Sequence, residues 1–236
     1  MSTQNTTRRE FFGKLAGTAA LMGAAGAVAS PLVAGAETVN PGPDTNPFGA
    51  YADPDAWFKK LTGKHRIVFD APEPKEIMTF AWPKVFLLTN SGTGTPESEC
   101  NVVVVLRHEA IPYAMGDDLW AKYKFGEMFK INDPRTKAAS VRNPFWKCQP
   151  GDYKIPGVGA VDIGIDNLQA SGVMFCVCDM AMTVYSAVAA MNSNQDAAAV
   201  KKEWLAGVLP GVQPMPSGVW AVGRAQEHGC TYCYAG

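Results

Sequence analysis

Cys176-Val177-Cys178-Asp179 sits where an apolar, strand-like run gives way to a helical pattern, and it is the junction in this 236-residue chain best suited to covalent chemistry. A thiol at a helix start faces unpaired N–H groups and the positive end of the helix dipole. Both favour the thiolate and predict a pKa below the ordinary value of about 8.5. Cys178 is therefore the candidate nucleophile. Cys176, two residues earlier on the same strand, shares its face but lies deeper, as a candidate substrate contact. Arg107-His108-Glu109 closes another strand. His108 is a candidate catalytic base, and Arg107 a candidate substrate-binding cation beside a thiolate or anionic sulfur. The same positions also suit small buried hydrophobes at Cys176 and Cys178 and a hydrogen-bonded structural His108.

His228-Gly229-Cys230-Thr231-Tyr232-Cys233 carries a C-x-x-C and makes Cys230 and Cys233 a candidate redox pair. If the segment is a strand, residues three apart project to opposite faces, so the pair can close only if the chain turns there. A c-type haem site needs His directly after the second Cys, where Tyr234 stands, and one C-x-x-C without a second ligand pair is a weak zinc signal. Met174, Met180, Met182 and Met191 surround the central cysteines. They suit either a copper(I) site or an ordinary core, and the identity of any metal stays open. Gly92-Thr93-Gly94 lacks the lysine of a phosphate loop and reads as a connection.

The chain opens with Thr7-Arg8-Arg9-Glu10-Phe11-Phe12, then an Ala/Gly-rich apolar run over residues 15–33 and Ala34-Gly35-Ala36. Paired arginines before an aromatic pair, a weakly hydrophobic core and a small-residue site predict a twin-arginine signal cleaved after Ala36. Export by the twin-arginine translocase then implies a periplasmic protein that folds before it crosses the membrane. An amphipathic helix or an anchor is the competing reading of the same residues.

With residues 1–36 removed, 200 remain, enough for one domain with a substantial core. Arg8, Arg9 and Lys14 against Glu10 leave the remainder 18 basic and 21 acidic side chains of the chain's 21 and 22. That balance excludes a nucleic-acid-binding surface, and no later apolar run is long enough to span a membrane. All six cysteines lie in the exported part, where disulfides persist, and spacing alone does not choose a pairing.

Residues 37–60, rich in Pro, Gly, Asn and Asp, read as a linker, which leaves 61–236 as the folded domain. Within it, strands are expected at 67–69, 101–107, 172–178, 212–215 and 230–234. Helices are expected at 76–90 with Pro83 inside, and at 117–129, 161–170, 180–191, 196–205 and 218–228. Alternation of this kind predicts a three-layer α/β/α sandwich around a mostly parallel five-stranded sheet. Residues finishing its strands then line the ligand crevice.

In the Val-rich strand ending at His108, the unit Gly172-Val173-Met174-Phe175-Cys176-Val177-Cys178-Asp179-Met180-Ala181, the passage Leu209-Pro210-Gly211-Val212 and the terminal Gln226-Glu227-His228-Gly229, residues 65–236 resemble the DsrE/DsrF-like family, the TusD/YchN-type sulfur-relay fold. The resemblance implies a flavodoxin-like sandwich, a homo-oligomer that is a trimer or hexamer, and a cysteine persulfide, with Cys178 at the matching position. It also implies a sulfur-carrier or redox partner. An export signal and the long insertion over residues 129–154, a candidate lid or interface, depart from the family's cytoplasmic sulfur-relay branch. A metal-binding module for copper or zinc, and a structural subunit exported with a redox enzyme, are the competing functions.

Overall fold

The structure, a computed structural model, describes residues 53–236. The expected export signal, its cleavage point and most of the 37–60 linker lie outside the described residues. The folded unit starts earlier than position 61. A 3-10 helix over Pro54–Lys60, capped by Asp53 accepting from the Ala56 N–H, carries Phe58 into the core, where it has no solvent exposure.

Five strands form one sheet: β1 (His65–Ala71), β2 (Cys100–Leu106), β5 (Met174–Cys178), β6 (Val212–Met215) and β7 (Thr231–Tyr234), in the spatial order β6-β5-β2-β1-β7. Every pairing in it is parallel. The valines of β2 explain its central place. Val102 to Leu106 are all buried, and β-branched side chains pack well on a pleated surface covered on both sides. Each contributes about 2 kcal/mol relative to exposure. Alternation assigns Val102, Val104 and Leu106 to one core cluster and Val103 and Val105 to another.

The larger cluster lies under α1 (Met78–Gly92), the connection between β2 and β5, and the pair α5 (Asp179–Ser193) and α6 (Ala197–Ala206). The smaller lies under α7 (Gly218–Glu227) and Phe58. This is the expected three-layer α/β/α, flavodoxin-like architecture. The chain steps outward from β1 to β2, β5 and β6 with its crossovers on one face. It then returns across the other face through α7 to place β7 beside β1. Right-handed crossovers require a change of face when the direction of travel reverses.

Helical periodicity locates the elements of the β2–β5 connection less well. Leu106 ends β2, and a 3-10 helix over His108–Ala114 follows, anticipated by no strand or helix pattern. The single helix expected over 117–129 is two, α2 (Asp117–Tyr123) and α3 (Phe125–Met128), because Lys124 takes a φ of 52° that a right-handed helix cannot contain. The helix expected at 161–170 is only α4 (Ile165–Ala170), its entry held by the Ile165 N–H donating to the Phe145 carbonyl at 2.7 Å.

Between α3 and α4 the insertion is packed onto the domain, and a small hairpin of β3 (Lys154–Ile155) and β4 (Gly159–Ala160) closes it. Phe145 stacks on Phe80 of α1 at 4.0 Å and on Tyr153 at 4.8 Å. Fully buried Asn143 donates through Nδ2 to the carbonyls of Tyr113 and Met115 at 2.8 and 2.9 Å, and its Oδ1 accepts the Phe145 N–H. No helix among the described residues is long and apolar enough to cross a membrane.

Asn143→Ala leaves two buried carbonyls and one N–H unpartnered, so it should cost about 3 kcal/mol. That corresponds to a fall in Tm of roughly 10 °C, whereas Val141→Ala, at a position 71 % exposed, should change stability by no more than about 0.5 kcal/mol. Thermal unfolding of both variants measures the contrast; an unchanged Tm for Asn143→Ala would contradict this account of how the insertion is anchored.

Candidate functional site

In a parallel sheet the ligand crevice opens where neighbouring strands send their outgoing connections to opposite faces. Here those strands are β5 and β6, which leave into α5 on one face and α7 on the other. Cys178 and Met215, their last residues, are register partners. Cys178 is also the cap of α5, its sulfur accepting the Ala181 N–H at 3.2 Å, in the role usually filled by Ser, Thr, Asp or Asn. Ser217 caps α7 by accepting the Trp220 N–H at 3.2 Å, which puts Gly218 at that helix's first position.

Gly218 explains how the two helix starts come so close. A Cβ there would run into the Cβ of Arg107 and lie 2.9 Å from its Cδ. Only a residue without a side chain lets α7 begin against the end of β2. The N–H groups of Ala181, Gly218 and Met180 all favour a charged Cys178 sulfur, two from α5 and one from α7.

Burial works against them and is the larger effect. Cys178 is 7 % exposed, and burial raises its pKa above the ordinary thiol value, with the neighbouring Asp179 carboxylate acting in the same direction. The expectation of a lowered pKa is therefore corrected: the helix-start N–H groups are present, but loss of water around the sulfur outweighs them. Asp179 is itself buried, with Lys201 Nζ at 3.0 Å from its Oδ2.

Arg107 lies near enough to Cys178 for the two to interact electrostatically. Its Nε and Nη2 clamp the two oxygens of Asp70 at 2.6 and 2.9 Å, and the Tyr232 hydroxyl donates to Asp70 Oδ2 at 3.0 Å. The clamp ties the ends of β1, β2 and β7 together. The Asp70 hydrogen bond is the chief reason the guanidinium holds its proton more firmly, and Cys178 is near enough to add to the effect. Asp70, Tyr232 and Gly218 escaped the sequence reading. Asp70 left one signal, as a lone carboxylate inside the apolar run Ile67-Val68-Phe69-Asp70-Ala71.

His108 is not joined to Cys178. Its backbone turns left-handed at φ 49°, and its Nδ1 shares a 3.0 Å hydrogen bond with the Tyr185 hydroxyl. Tyr185 lies seven residues beyond Cys178, about 10 Å along α5. The assignment of His108 as base is corrected accordingly: its ring is engaged with the middle of the helix rather than its start. Cys176 has no solvent exposure, lies in the cluster beneath α7, and is a core residue rather than a substrate contact.

All six cysteines are free. Cys230 belongs to the cluster under α7, whereas Cys233 packs against the larger cluster on the opposite face. The candidate redox pair is thus separated by the strand's alternation. Burial pushes Cys230 up to about 11, and likewise Cys148 in the insertion. Met182 is fully buried while Met180 and Met191 are exposed, so the methionines do not converge. Among the described residues no group of three or more His, Cys, Asp or Glu is arranged to hold a metal ion.

No family model matches the chain, and no curated protein is similar to it. Among solved structures, a protein of unknown function from Methanobacterium thermoautotrophicum is similar at 16 % identity, over 72 % of this chain and 99 % of that one, with a TM-score of 0.38.

Because thiolate is the reactive form, a raised pKa makes Cys178 slow to alkylate at neutral pH, its rate climbing only as pH rises past the ordinary thiol value near 8.5. Iodoacetamide labelling followed by peptide mapping from pH 6 to 11 gives the profile. Half-maximal reactivity below pH 7 would contradict the assignment of burial as the dominant effect.

Proposed function

We propose that this protein binds or transfers sulfane sulfur through a persulfide on Cys178, as a periplasmic protein exported by the twin-arginine pathway. The observation that carries the reading is the convergence of two helix N-termini on one cysteine sulfur at the switch point of the sheet. The Ala181 N–H donates to that sulfur at 3.2 Å, and the Gly218 and Met180 N–H groups also favour its charge, which makes the site suited to an anion. A bound second sulfur extends the side chain by one S–S bond, about 2 Å, and brings negative charge with it. The N–H groups and the nearby Arg107 favour that charge without a metal ligand set.

The loading step is an exchange between a thiol and a hydropersulfide. The Cys178 thiolate attacks the outer sulfur of a donor R–S–SH, the donor's S–S bond breaks, and R–S⁻ leaves with the electron pair. The proton released by Cys178 ends on the departing thiol, so the products are Cys178–S–SH and R–SH with no net oxidation. Burial makes the resting thiol unreactive towards general electrophiles. A donor that itself occupies the crevice supplies the selectivity.

Assembly as a trimer or hexamer, and docking of a sulfur-carrier or redox partner, belong to the same proposal. They are supported by exposed apolar residues on the outer face of α5, Met180, Val184, Val188 and Met191, and on α1, Trp82, Val85 and Leu88. The copper or zinc reading has no ligand cluster among the described residues to rest on.

Incubation of the purified protein with polysulfide, followed by intact-mass and peptide mass spectrometry, should show one added sulfur on Cys178, absent from Cys178→Ala. No adduct, or equal labelling of the variant, would overturn the proposal.

A further inference from the structure

A cavity of about 390 Å³ opens at the carboxyl end of β1 between the loop that follows that strand and the insertion. Its volume lies within the range of small-molecule sites, and the ends of parallel strands are where such sites form. The floor is apolar and aromatic: Ile77, Tyr113, Ile131, Phe145 and Tyr153 line it, the last four buried. Phe145 is fixed by stacking on Phe80 and Tyr153, so one wall is a rigid flat ring.

The rim carries the charge. Lys130 and Lys137 both line the cavity, both are exposed, and neither has an ion-pair partner among the described residues. The Asp133 carboxylate beside them does not cancel their charge. Arg142 Nε lies 2.8 Å from its Oδ2, and the Arg135 and Thr136 N–H groups donate to its Oδ1. Glu76 is the remaining acid, which leaves the rim cationic by one charge.

Two features ask for an occupant. Lys130, Lys137 and Glu76 all have left-handed backbones, with φ of 56°, 61° and 48°, so three strained residues border one cavity. Tyr113 lines the cavity, and its hydroxyl makes no hydrogen bond to another described residue while keeping slight solvent access. By contrast, the Tyr153 hydroxyl donates to the Pro144 carbonyl at 2.7 Å.

We infer that this cavity binds a small aryl carboxylic acid, its ring against Phe145, its carboxylate at Lys130 and Lys137, and an oxygen substituent within reach of Tyr113. The site is independent of Cys178 and involves no bond-making step. The flat apolar floor selects the ring, the paired ammonium groups select the charge, and the phenol selects a substituent across the ring from the acid.

Titration of the whole chain with 4-hydroxyphenylacetate and with its uncharged amide, followed by NMR, tests the inference. The acid should saturate at millimolar concentration and bind about tenfold more tightly than the amide. That preference should vanish in Lys130→Ala/Lys137→Ala while amide binding stays as it was. Ile131→Trp, which fills the cavity, should abolish both, with far-UV circular dichroism reporting retained folding in each variant. Failure of the acid to saturate, equal affinity for acid and amide in the wild type, or an unchanged preference in the double lysine variant would each overturn the site.

Discussion

The return of the chain across the second face of the sheet, from β6 through α7 to β7, is the constraint on which the rest of the site depends. It makes β5 and β6 neighbours whose helices start on opposite faces, and so directs two sets of unpaired N–H groups to one point. The approach is only possible because Gly218 has no side chain to meet Arg107. Cys178 occupies that point because β5 ends there. Its sulfur then caps α5.

The chemistry at that point is a balance between two opposed effects of the same geometry. Bringing α7 down beside α5 adds an N–H donor to the sulfur, yet it also removes water, and burial raises the thiol pKa despite the donors. A cradle of fixed backbone dipoles with little solvent suits an anion that arrives already charged better than a thiol that must ionise in place. The Arg107–Asp70 clamp is set apart from that balance. With Asp70 nearly enclosed and joined by Tyr232, it fixes the carboxyl ends of three strands and leaves Arg107 only partly committed to the sulfur.

Much of this architecture was legible in the sequence, for identifiable reasons. The Val run of β2 and the apolar-to-helical change at Cys178 are local patterns, and the parallel sheet and the strand end bearing the cysteine followed from them. What escaped depends on contacts between distant segments. Lys124 breaks a helical pattern that is continuous in sequence, and the 3-10 helix after Arg107 has no periodic signature. His108 has a residue type and position that suit a base, but its left-handed backbone turns the ring to Tyr185. The net pKa of Cys178 is not legible in the sequence because a helix start is visible in one segment, while the enclosure that opposes it comes from another. The separation of Cys230 from Cys233 did follow from strand alternation.

The central claim, that the cradle at the β5–β6 switch point holds charged sulfur on Cys178, is tested most directly by the lifetime of a persulfide placed there. After removal of excess polysulfide, the added sulfur on Cys178 can be followed by mass spectrometry in folded protein and in protein unfolded with urea. Hydrogen bonds to a charged group, each worth about 1.5–3 kcal/mol, predict that the folded protein retains the sulfur at least about tenfold longer. Equal rates of loss in the two states would contradict the claim.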